Sequence, residues 1–132
     1  MKIKHGYVYY CKLPNMHNDI TSGYRPCLVI SNNHANEYSS VVTVVPMTTK
    51  HRRALPTHVI YKWPEGVLST IYCEQIMTIS KESFVEMPGF PHKLPTPVMI
   101  KVENALSVQL QGSVYYKIYE SGEIADEYED IQ

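Results

Sequence analysis

The sequence predicts a mainly β domain finished by a C-terminal helix, and three observations carry that prediction. Five short runs, residues 7–13, 25–32, 41–47, 57–63 and 67–79, are rich in Val, Ile, Tyr and Thr and are separated by Gly, Pro, Asn and Ser. One later segment, 97–111, repeats its apolar residues at three- and four-residue steps. The chain has 132 residues, 44% of them apolar, which suits one domain burying roughly two thirds of its unfolded surface. Spacing of this kind indicates an antiparallel small barrel or sandwich.

In the fourth run, Thr57, Val59, Tyr61 and Trp63 share one face and His58, Ile60 and Lys62 the other, so only the first face reads as fully buried. Residues 15–24, 33–39 and 50–56 read as loops, the last a basic tip with His51, Arg52 and Arg53 in succession. The helix has Thr96 as its expected N-cap, Pro97 in the first turn where its missing N–H costs nothing, and Gly112 as its stop. Met99, Val102, Leu106 and Leu110 form its expected packing stripe, with Lys101, Asn104 and Ser107 outward. Residues 113–119 are expected to add a short strand, and 122–132 to be loosely ordered. The division is therefore a domain over 1–112 and an acidic extension over 113–132.

The net charge of -1 conceals an asymmetry. Residues 1–112 hold 11 basic and 7 acidic side chains, a balance of +4, while residues 113–132 hold one basic and six acidic, a balance of -5. A mildly basic body is compatible with a polyanionic partner, because Lys and Arg contacts to phosphate release counterions. The longest purely apolar run, 7–11, is far shorter than the ~20 residues that span a bilayer. Neither membrane insertion nor secretion is expected. Cys11, Cys27 and Cys73 are odd in number and widely spaced, which reads as reduced thiols in a cytoplasmic protein. The histidines show no metal-ligand spacing, so no metal or other cofactor is expected.

Several residues can carry chemistry. Gly23-Tyr24-Arg25-Pro26 sets an arginine where a loop enters a strand, and its planar donor fork matches a phosphate. Met47-Thr48-Thr49-Lys50 ends a strand with two hydroxyls and a cation, suited to phosphate oxygens or to capping a turn. Glu74 lies in an otherwise apolar run, as a general base or as the partner of a nearby cation. The 11 tyrosines offer stacking surfaces for unpaired bases, Tyr24 among them, although a pleated sheet also packs tyrosine.

These pieces fall in an order that resembles a known family. Lys4-His5-Gly6-Tyr7, Gly23-Tyr24-Arg25-Pro26-Cys27-Leu28-Val29-Ile30, Val45-Pro46-Met47-Thr48-Thr49, Leu55-Pro56-Thr57-His58-Val59 and Cys73-Glu74-Gln75-Ile76-Met77-Thr78-Ile79 resemble the MazF/PemK (Kid) toxins of type II toxin-antitoxin systems. The likeness runs from residue 4 to about 110. It implies an SH3-like small barrel, a homodimer, a cognate antitoxin, and metal-independent, sequence-specific cleavage of single-stranded RNA, chiefly mRNA. Arg25 and Thr48 stand at the family's catalytic arginine and threonine, and Glu74 at an acid that one branch uses as general base. Asp19 is a further candidate base, because Ile20 occupies the place of the family's loop glutamate. Tyr72 replaces a general-acid arginine of the Kid branch, and Met77 replaces the arginine of the Gln-x-Arg-Thr-Ile block. Tyr24, Thr49, Lys50, His51, Arg52, Arg53, Gln75 and Thr78 are the expected RNA-holding residues. Two rivals share the fold: an inactive module that binds RNA or antitoxin, and a CcdB-like gyrase poison, whose usual Trp-Gly-Ile ending is absent here.

Overall fold

The structure is a computed structural model that describes residues 1–50 and 54–112. Its elements are β1 (Tyr7–Leu13), β2 (Gly23–Val29), α1 (Asn33–Tyr38), β3 (Val41–Thr48), β4 (His58–Lys62), β5 (Leu68–Tyr72), β6 (Met77–Ser80), a 3-10 turn (Lys81–Ser83), β7 (Phe84–Val85), β8 (His92–Lys93) and α2 (Thr96–Gln109). All strand pairs are antiparallel. The sheet runs β4-β5-β3-β2-β1-β7, with β6 also on β3 and β8 also on β1. Mainly β with a C-terminal helix is therefore what forms, but no ladder among the described residues joins β4 to β7. The small barrel expected from the sequence is an open sheet.

Two-residue periodicity divides the core. Val8, Leu28, Val45, Val59, Tyr61, Trp63 and Ile71 point to one side and pack with Val102 and Ala105 of α2. Tyr9, Cys11, Cys27, Val29, Val42 and Val44 point to the other and pack with Met77 and Ile79 of β6. The central strands are thus buried on both faces, and so they read as near-continuous apolar runs. The alternation expected in 57–63 is present: Thr57, Val59, Tyr61 and Trp63 are buried, while Ile60 and Lys62 are exposed. All three cysteines are free and buried.

Four local expectations change. Residues 33–39 were expected as a loop, yet 33–38 form a helical turn and a half, begun by the Asn32 side chain, which accepts from the Ala35 N–H at 2.9 Å. The run 67–79 is two strands separated by a turn in which the Gln75 N–H donates to the Tyr72 carbonyl at 3.1 Å. Glu74 therefore sits in a turn. Pro95, not Thr96, is the N-cap of α2. At its far end, Gln111 takes the positive φ of 53° and the Gly112 N–H donates to the Ser107 carbonyl at 2.7 Å.

The packing stripe of α2 is also rotated. Val102, Ala105 and Val108 are buried, Met99 and Leu106 are half-buried, and Leu110 is 68% exposed. The sheet edge that receives α2 selects the narrower Val-Ala-Val face, which allows a close approach. The extension 113–132, with its expected strand, lies outside the described residues.

Candidate functional site

Register brings the two principal candidates together. In the β2–β3 ladder Cys27 pairs with Pro46, Leu28 with Val45 and Val29 with Val44. Continuing that register by two residues sets Arg25 across from Thr48. Arg25 shares a face with Cys27 and Val29, and Thr48 with Val42 and Val44, so both extend the same side of the sheet. Thr48 in turn pairs with Thr70 of β5, two residues from Tyr72 on the same face.

These residues line a cavity of about 160 Å³. Arg25, Thr48, Lys50 and Tyr72 line it together with Asn18, Asp19, Ile20, Thr21 and Ser22 of the loop between β1 and β2, and with Gln75. The Arg25 Nε is buried without a hydrogen-bond partner among the described residues. A buried guanidinium donor of this kind suits an anionic ligand oxygen. The Thr48 hydroxyl accepts from the Lys50 N–H at 3.2 Å, and the Tyr72 hydroxyl donates to the Lys50 carbonyl at 3.3 Å. The end of β3 is thereby held so that its hydroxyl and its cation face one space.

The other candidates are distributed unevenly. Asp19 lines the cavity, and its side chain is 86% exposed with His17 Nδ1 at 3.7 Å. Glu74 lies outside the lining. Its carboxylate accepts from His58 Nε2 at 2.7 Å and from the Thr57 hydroxyl at 3.2 Å. Tyr24, on the opposite face of β2 from Arg25, is 52% exposed and stacks on Tyr10 with centroids 6.2 Å apart. Thr49 is exposed beside the cavity without lining it. Thr78 lines a separate cavity of about 290 Å³ with Lys12. Met77 is 8% exposed within the second core, so the missing charge at this position is a matter of packing. His51, Arg52 and Arg53 lie outside the described residues.

His58 and Tyr72 belong to the site's support although the sequence marked neither for that role. They are register partners in the β4–β5 ladder and their rings stack at 4.6 Å. The available signal was alternation, which puts His58 opposite the buried Val59 and Tyr61 face. Among the described residues no cluster of His, Cys, Asp or Glu is arranged to hold a metal ion. No described helix is long and apolar enough to cross a membrane.

Comparison with known proteins agrees with this architecture. The chain is 29% identical over 105 residues to endoribonuclease MazF1 of Mycobacterium bovis and to endoribonuclease MazF4 of Mycobacterium tuberculosis, covering 80% of this chain and 90% of each relative. Among solved structures it is similar to a mycobacterial endoribonuclease in complex with its cognate antitoxin, with 27% identity, TM-score 0.68, and coverage of 83% of this chain and 95% of that one. MazF of Deinococcus radiodurans shares the fold at TM-score 0.72 and 18% identity, covering 84% and 98%. The family described as PemK-like, MazF-like toxins of type II toxin-antitoxin systems matches residues 4–110. The chain belongs to that family.

Proposed function

We propose that this toxin is a metal-independent endoribonuclease that cuts single-stranded RNA at specific sequences, leaving 2',3'-cyclic phosphate and 5'-hydroxyl ends. The observation that carries the reading is the convergence of Arg25, Thr48 and Lys50 on one cavity, with the Arg25 Nε unpartnered among the described residues. The endoribonuclease relatives support the reaction class.

RNA carries its own nucleophile, so few groups are needed. A base takes the proton of the 2'-hydroxyl, whose oxygen then attacks phosphorus, and the bond to the 5'-oxygen breaks. Asp19 is the base in this reading, because it is the carboxylate on the cavity wall. Arg25 stabilises the charge of the five-coordinate phosphorane and hydrogen-bonds the departing oxygen, which takes its final proton from water. Thr48 donates to a non-bridging oxygen, and Lys50 adds positive potential. Glu74 acts at one remove, fixing His58 against Tyr72. The cytoplasm holds such RNA, a cognate antitoxin is the natural inhibitor, and a homodimer is the working unit.

The test is to incubate the purified protein with a long unstructured RNA in EDTA beside Arg25→Ala, and to identify fragment ends by mass spectrometry. Loss of one preorganised donor costs ~100- to 1,000-fold in rate, so the variant is expected to be nearly silent while folded. Intact RNA in both lanes, with folded wild type free of antitoxin, rejects the proposal and turns attention to gyrase or to binding without cleavage.

A further inference from the structure

Gln75 lines the cavity together with part of the 15–22 loop, and it uses both ends of its carboxamide. Its Oε1 accepts from the Thr21 N–H at 2.8 Å, and its Nε2 donates to the Asp19 carbonyl at 3.2 Å. A carboxamide placed this way imitates one peptide unit of a neighbouring strand, giving loop backbone the pairing that a sheet would otherwise supply. The clamp bridges 54 and 56 residues of sequence.

Among the described residues the loop has few other bonds. Met16, His17, Asn18 and Asp19 are exposed, and its internal bonds are the Ile20 N–H to the His17 carbonyl at 3.0 Å and the Asp19 N–H to His17 Nδ1 at 3.1 Å. Ile20 supplies the second anchor, its side chain packing on the core formed by Cys11, Cys27 and Val29. The turn bearing Gln75 is itself closed onto Tyr72, another residue of the cavity lining. One short turn thus ties Tyr72 and the 15–22 loop, both of which line the cavity, to each other.

We propose that Gln75 is a positioning residue: it clamps the 15–22 loop as a preformed wall of the RNA site and acts through Asp19 and Thr21, not by touching RNA. This rests on the ribonuclease reading above. A wall that is already ordered spares the RNA the cost of ordering it on binding, so removing the clamp weakens affinity without removing any group that contacts RNA. Two neutral hydrogen bonds are at stake, which corresponds to about tenfold in an equilibrium.

The experiment compares wild type, Gln75→Leu and Gln75→Glu, reading Thr21 amide hydrogen exchange by NMR and affinity for a single-stranded RNA whose 2'-hydroxyls are methylated so that it is not cut. Gln75→Leu is expected to speed Thr21 exchange and to weaken binding, each about tenfold. Gln75→Glu keeps the acceptor for Thr21 and loses the donor to Asp19, so its Thr21 exchange is expected to be intermediate, while its added negative charge lowers RNA affinity further. Weakened binding with unchanged Thr21 exchange overturns the proposal in favour of direct RNA contact. Faster exchange with unchanged affinity overturns it in favour of a purely structural bond. Wild-type protein that binds no RNA, while Thr21 exchange still responds to the substitution, overturns the ribonuclease reading and with it the positioning role, leaving the clamp as structure.

Discussion

His58 stacks on Tyr72, with ring centroids 4.6 Å apart and planes inclined by 30°. The same imidazole donates from Nε2 to the Glu74 carboxylate at 2.7 Å, since an ionised carboxylate only accepts. The His58 side chain is 7% exposed and that of Glu74 25%, so the bond is largely sheltered from water. It connects the turn after β5 to the start of β4, directly behind a tyrosine that walls the cavity.

Glu74→Ala leaves the His58 Nε2–H and the Thr57 hydroxyl unpaired in a buried setting. Each such orphan costs about 1–3 kcal/mol, so a loss of at least about 2 kcal/mol in urea unfolding is expected. Cleavage is expected to fall by about tenfold or less, against the ~100- to 1,000-fold loss typical of a removed transition-state donor. A loss as large as that of Arg25→Ala makes Glu74 the base and removes Asp19 from that role.

Burial, with a smaller contribution from the Glu74 charge, pushes the Cys73 thiol up from its ordinary 9.0 to about 12. Between those values the unfolded chain has released the proton and the folded one retains it. The stabilising difference is whole below pH 9 and is lost as pH rises toward 12, with a slope of at most about 1.4 kcal/mol per pH unit. Cys73→Ala is expected to flatten the fall of stability between pH 9 and 11 relative to wild type, as measured by denaturant titrations at each pH. Equal slopes reject the assignment.

Leu94 is 1% exposed in the core that unites β1, β2, β3, β4, β5 and α2, and its N–H donates to the Gly6 carbonyl at 3.1 Å. It fastens the segment leading into α2 onto the start of β1. Leu94→Ala is expected to cost about 2–5 kcal/mol, from lost burial plus the cavity left behind. Thermal unfolding checks the magnitude, and a cost below about 1 kcal/mol indicates that α2 settles inward.

What could be read in the sequence was whatever depends on period and punctuation. Residues 7–13 and 57–63 were legible because alternation and the bounding loops coincide there. The helix at 33–38 was not, because its six residues hold too few apolar positions to show a period, and a single Asn32 cap begins it. Likewise 67–79 read as one strand because Cys73 and Ile76 are apolar, whereas the turn between them is made by a backbone bond to Tyr72. In the site, the residue types of Arg25 and Thr48 were legible as phosphate chemistry.

Sequence by itself determined the mainly β class, the terminal helix and the family, and it supplied the candidate side chains. Tertiary structure alone decided which of them meet. Arg25 and Thr48, 23 positions apart in the chain, line one cavity because β2 and β3 are antiparallel neighbours in the sheet, with Thr48 on the strand beside Arg25's. Glu74 is withdrawn from that cavity because a turn aims it at His58, and Tyr24 is withdrawn because alternate residues of a strand point to opposite faces. The physical reason is common to all three: residue type sets which bonds a group can make, while register, turns and strand parity set which partner lies within reach.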